Sequence, residues 1–156
     1  MSAVERALHW RRPWLDPLVI GYSRLGNNGL GIAAAGCSAA LALGAPERAS
    51  AFAGVVFGTL TTNALVKQVV RRERPRVPML IEAPNSTSFP SSHAAIAAAA
   101  AWVASGWVPA LTPAFASLAL LMGLSRIYLG VHHGVDVAAG FVLGSLIGAS
   151  FLALGG

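Results

Sequence analysis

TPAFASLALLMGLSRIYLGVHHGVDVAAGFVLGSLIGASFLAL, residues 112–154, reads as two apolar runs joined by a short polar knot. Only Arg126 and Asp136 carry a formal charge over these positions. The runs, 112–129 and 135–154, are each close to the ~17–25 residues with which a helix crosses a bilayer. Further runs at 28–43, 49–70 and 93–107 repeat the pattern, the last being the shortest. The sequence therefore predicts an all-α, polytopic membrane helix bundle of about five transmembrane helices. Composition agrees: the chain is 55% hydrophobic and 11% charged, whereas a soluble domain is about 25% charged. Its 156 residues fit one domain, with an interfacial helical segment at 1–27 followed by the bundle at 28–156. In that first segment Trp10 and Trp14 stand among Arg6, Arg11, Arg12 and Arg24, a mixture suited to lipid headgroups, and Pro13 and Pro17 divide it.

The net charge of +5 does not point to nucleic acid. Ten of the eleven basic residues lie in 1–27, in 67–76 or at Arg126, a juxtamembrane distribution suited to anionic headgroups and phosphates. The single cysteine, Cys37, excludes an internal disulfide and reads as a packing residue. The opening residues have no apolar core before a cleavage site, so no signal peptide is expected. The sequon at Asn85 reads as an accident of a polar loop. Ten arginines against one lysine, with abundant alanine, hint at a GC-rich bacterial genome. Glycines spaced by four, Gly54 and Gly58 in one run and Gly140, Gly144 and Gly148 in another, let helix backbones approach closely. The expected use is packing within the chain, with homo-oligomer contacts through these faces as the alternative.

Counting spans brings the ends of the second and fourth runs and the starts of the third and fifth to one membrane face. Ionisable groups at such depth are costly and usually functional. His132 and Asp136 are four apart, one helical turn, so the carboxylate can orient one imidazole nitrogen and leave the other free to attack. His133 is a rival, three residues from the same carboxylate. Lys67 and Arg74 are about two turns apart, and Pro75 makes a helix end at Arg74 plausible. With Arg126 they make a trivalent phosphate clamp of two forked guanidiniums and a point charge. Arg71 competes for the clamp, while Arg72 and Arg76 read as headgroup contacts. After Pro90, Ser91 or Ser92 caps a helix whose first backbone N–H groups point at an anion.

Taken together, KQVVRRERP at 67–75, PSSH at 90–93 and SRIYLGVHHGVD at 125–136 read K-x6-R-P, P-S-x-H and S-R-x5-H-x3-D. Three motifs in this order resemble the signature of the type 2 phosphatidic acid phosphatase superfamily. The resemblance covers the chain from the second run onward and implies a metal-independent phosphatase without a cofactor. It selects His132 over His133 as nucleophile, His93 as proton donor, Asp136 as orienter, and Lys67, Arg74, Ser91, Ser92 and Arg126 as phosphate ligands. Ser92 departs from the glycine frequent in the family.

Two histidines and an aspartate offer no third and fourth ligand at a recognisable spacing, so no metal site is expected. The related vanadate-dependent haloperoxidases are soluble and larger, and a non-catalytic lipid-phosphate-binding scaffold would not need all three motifs. The expected partners are the bilayer and a lipid phosphate, with no nucleic acid. Phosphatidic acid, phosphatidylglycerol phosphate, polyprenyl phosphates and diphosphates all fit, and the GC-rich composition adds decaprenylphosphoryl-5-phosphoribose. The expected location is a bacterial inner membrane. Setting aside the clamp, seven arginines fall on the active-site face and only Arg48 on the other, which predicts a cytoplasmic site.

Overall fold

The computed structural model describes residues 3–82 and 86–156. Asn85, the acceptor of the sequon, lies outside the described residues, as do the first two residues of the segment 1–27. In chain order the helices are α1 (Ala3–His9), α2 (Asp16–Arg24), α3 (Leu30–Ala42), α4 (Pro46–Val70), α5 (Ser92–Trp107), α6 (Thr112–Tyr128) and α7 (Gly134–Ala153). Short 3-10 turns at Asn27–Gly29 and Pro109–Leu111 precede α3 and α6. No strand occurs among the described residues.

Local chemistry sets these boundaries. Pro46 and Pro113 stand in the first turns of α4 and α6, where a missing N–H costs nothing. Arg71 ends α4 in a left-handed conformation, φ 47°, and turns the chain into the loop before α5. The Ser91 hydroxyl accepts from the Ala94 N–H and caps α5. Three helices are long and apolar enough to cross a membrane: Pro46–Val70, Pro109–Tyr128 and Gly134–Ala153. The other two apolar runs form helices of 13 and 16 residues, α3 and α5.

Helix α5 is the axis of the bundle. Six of its buried residues are alanines in the unbroken stretch from His93 to Ala100, and this narrow surface lets α7 come close. A Cβ on Gly144 would collide with the Ala95 carbonyl, and one on Gly148 would sit 2.9 Å from the Ala99 carbonyl. The stripe of Gly140, Gly144 and Gly148 is therefore used inside the chain. Gly54 and Gly58 differ from the expectation: a Cβ at either meets nothing within 4 Å. Both lie on an open face of α4. On the opposite flank of α5, Ile96, Ala99, Ala100 and Val103 pack with Ala33, Phe52, Val55 and Val56.

The amino-terminal segment is more than interfacial. Trp10 and Trp14 remain exposed, but Val4 and Ser23 are buried and the segment is strapped to α6. Tyr22 Oη donates to the Leu118 carbonyl at 2.6 Å, and Tyr128 Oη to Asp16 Oδ1 at 2.6 Å. Arg11 reaches the carbonyls of Tyr128 and Pro78 at 3.0 and 2.9 Å. The Arg11 bond satisfies the last carbonyl of α6, that of Tyr128, and the strap sets the end of α2 beside the starts of α3, α5 and α7.

Candidate active site

At that end a cavity of about 550 Å³ is lined by Lys67, Arg74, Ser92, His93, Arg126 and His132. All three sequence motifs thus meet in one space, as span counting requires. Lys67 stands in the last turn of α4 and donates to the Thr87 carbonyl at 2.6 Å. Arg74 follows in the loop, held by the carbonyls of Ser86 at 3.1 Å and Val131 at 2.7 Å. Arg126, 1% exposed, donates to Ser23 Oγ, while its Nε is buried without a partner. Burial lowers the Arg74 pKa, with Asp136 opposing. Gathering three cations where water is scarce is unfavourable unless an anion joins them.

His132 lies between α6 and α7 and is 3% exposed. Its Nδ1 faces Asp136 Oδ2 at 3.7 Å, an electrostatic contact longer than a hydrogen bond, which leaves Nε2 as the nitrogen turned away from the carboxylate. Catalytic contacts are often long before substrate binds. Burial holds the imidazole down to about 4, and Arg126, Arg74 and Lys67 reinforce this against Asp136. His133 does not line the cavity; its backbone N–H donates to Asp136 Oδ2 at 2.8 Å. His93 faces the cavity from the first turn of α5 with Nε2 3.2 Å from Asn27 Oδ1.

Two expected phosphate ligands have other duties. Ser91 is fully buried, capping α5 and donating its backbone N–H to the Asp136 carbonyl at 2.9 Å. Ser92 lines the cavity, but its hydroxyl donates to Asn63 Oδ1 at 2.8 Å. Arg72 is not a headgroup contact alone: its guanidinium lies 3.5 Å from Asp136 Oδ1. Arg71 is exposed, folds back onto the Gln68 carbonyl at 2.8 Å and lies off the cavity, so it is no rival for the clamp. Among the described residues, no group of three or more His, Cys, Asp or Glu could hold a metal ion.

Sequence reasoning missed Ser23, Asn27 and Asn63. Asn63 is fully buried in α4, donating toward the Pro90 carbonyl at 3.4 Å while accepting from Ser92, and so ties α4 to the start of α5. An asparagine inside a membrane-length run was the available signal. Ser23 and Asn27 had none, being ordinary polar residues in a polar segment.

Comparison with known proteins agrees with this geometry. A family model described as the PAP2 superfamily matches residues 48–155. The chain is 37% identical over 160 aligned positions to decaprenylphosphoryl-5-phosphoribose phosphatase of Mycobacterium tuberculosis, covering all of this chain and 89% of the relative. It is 35% identical to phosphatidylglycerophosphatase B of Bacillus subtilis, over 60% of this chain and 51% of the relative. Among solved structures, the transmembrane PAP2-type phosphatidylglycerolphosphate phosphatase from Bacillus subtilis superposes with a TM-score of 0.82 at 27% identity, covering 97% of this chain and 82% of that one. Aquifex aeolicus LpxE gives 0.75 at 25% identity, covering 96% and 92%. The order of the motifs, their convergence on one cavity and these matches together make the chain a member of the PAP2 superfamily, a membrane phosphatase acting as a phosphoric monoester hydrolase.

Proposed function

We propose that the chain hydrolyses the phosphomonoester of a prenyl-linked sugar phosphate, decaprenylphosphoryl-5-phosphoribose or a close analogue, through a phosphohistidine at His132. The observation that carries the chemistry is the convergence of Lys67, Arg74 and Arg126 with His93 and His132 on one cavity. Full-length similarity to the mycobacterial phosphatase supports the substrate. His132 Nε2 attacks phosphorus in line. An N–P bond forms as the ester P–O bond breaks, and His93 gives its proton to the departing alkoxide. His93 then takes a proton from water, whose oxygen attacks the phosphohistidine, releasing phosphate and restoring His132. Lys67, Arg74 and Arg126 hold the equatorial oxygens in both steps, where the charge is carried. Asp136 orients and stabilises the His132 ring. The first backbone N–H groups of α5 add donors, while the Ser92 hydroxyl stays with Asn63. No metal ion is required, because the cationic floor already neutralises the phosphate and would repel a dication.

Phosphatidylglycerol phosphate is the second reading, favoured by the similarity to the two Bacillus proteins. The five apolar runs support a five-span topology in the plasma membrane, and charge bias supports the site on the cytoplasmic face. Release of phosphate by purified protein from a panel of lipid phosphates tests the substrate, with decaprenylphosphoryl-5-phosphoribose expected to give the highest kcat/KM. Full activity in EDTA is expected. Strict dependence on added metal, or acid-labile phosphate trapped on His133, overturns the mechanism.

A further inference from the structure

The cavity's volume of about 550 Å³ is in the range that takes a ligand far larger than one phosphate. Beyond the clamp residues and the histidines, its lining includes the turn between α2 and α3, with Arg24, Asn27 and Asn28, and Ile81 and Glu82 of the long loop. Asn27 is engaged with His93. Arg24, Asn28 and Glu82 are exposed, and among the described residues neither Arg24 nor Glu82 makes an ion pair.

The turn is held in a costly shape. Asn28 has φ 50° and ψ 18° and is followed by Gly29 at φ 72°. A non-glycine residue in the left-handed region is uncommon, and such strain collects at ligand sites. A side chain at position 29 would press on Val56 at 2.7 Å, so packing fixes the turn and aims Asn28 along the cavity wall.

The geometry points to a second subsite, formed by Arg24, Asn28 and Glu82, for a polyol and a second, unhydrolysed anionic group between the scissile phosphate and the lipid chain. This deepens the proposed function and rests on it. Glu82 accepts from hydroxyls, the Asn28 amide both gives and accepts, and the Arg24 guanidinium matches a phosphodiester. A diacylglycerol joined directly to the scissile phosphate, as in phosphatidic acid, offers that wall little to bind, whereas a lipid-linked sugar phosphate supplies several hydroxyls and the second charge and phosphatidylglycerol phosphate one hydroxyl and the same charge. Ile20, Leu60 and Ile81, also in the lining, give an apolar way out for the prenyl chain.

The test uses the full chain in detergent micelles with two substrates, a short-chain prenylphosphoryl ribose 5-phosphate and phosphatidic acid. The readout is the ratio of their kcat/KM values, which cancels any change in the fraction of folded enzyme. Arg24→Ala is expected to lower the ratio about tenfold through KM for the sugar substrate. Asn28→Gly, which keeps the left-handed turn without strain, should lower it about threefold. An unchanged ratio in both variants overturns the subsite, as does a wild-type enzyme that hydrolyses phosphatidic acid but not the sugar phosphate. Failure of the phosphatase reading is distinct: wild type would then release phosphate from neither substrate.

Discussion

Asp136 divides its two carboxylate oxygens among three partners, and that division is the site's residue-scale design. Oδ2 accepts from the His133 N–H at 2.8 Å and faces His132 Nδ1 at 3.7 Å, while Oδ1 lies 3.5 Å from Arg72. The one-turn spacing made the histidine partner legible in the sequence. Arg72 was not legible, because it comes from a loop whose path only the fold decides. Asp136→Asn keeps the shape but not the charge that stabilises an imidazolium, and should cut kcat by roughly 10²–10⁴. His132→Ala should abolish turnover, measured as phosphate release. Because burial holds His132 down to about 4 from its ordinary 6.5, the proposed nucleophile is neutral at physiological pH. Its phosphorylation in single-turnover experiments should fall only as pH drops through about 4. The unfolded chain takes up this proton first, so the contribution of His132 to stability is lost between 6.5 and 4 as pH falls. Vanadate, which mimics the pentacoordinate transition state, should bind at least about tenfold more weakly to Arg126→Ala and as in wild type to Arg71→Ala, read as the inhibition constant.

At the scale of elements, the contact of α5 with α7 decides how closely the motifs approach. Gly144 stands against the backbone of Ala95, which cannot yield as a flexible side chain would. Gly144→Ala should therefore destabilise the bundle by about 1–3 kcal/mol, with Gly54→Ala within about 0.5 kcal/mol of wild type, both read by thermal unfolding in detergent. The spacing by four is the same in both stripes, so sequence alone treated them alike. They differ because α7 faces the alanine surface of α5 and α4 turns Gly54 outward. The strapping of α2 along α6 by Tyr22, Tyr128 and Arg11 was likewise invisible, since its partners are separated by about a hundred residues and are mostly backbone carbonyls.

For the molecule as a whole, the distribution of arginines between the two faces predicts which way it stands in the membrane. The positive-inside bias predicts that a single cysteine introduced at Asn85, in a Cys37→Ala background, escapes an impermeant thiol reagent in intact cells and reacts after permeabilisation. Labelling of intact cells would reverse the orientation. By itself the sequence determined the all-helical class, the meeting of three motifs at one end and the identity of Lys67, Arg74, His93, Arg126, His132 and Asp136 as the groups found there. Apolar run length and one-turn spacing are local quantities, and a bilayer reduces topology to counting crossings. Only the tertiary structure decided that the Ser92 hydroxyl is taken by Asn63, that Arg72 turns toward Asp136, and that Ser23 and Asn27 of the amino-terminal segment complete the cavity. Those assignments depend on which long-range neighbours satisfy each buried polar group, and such pairing leaves no periodic trace in the chain.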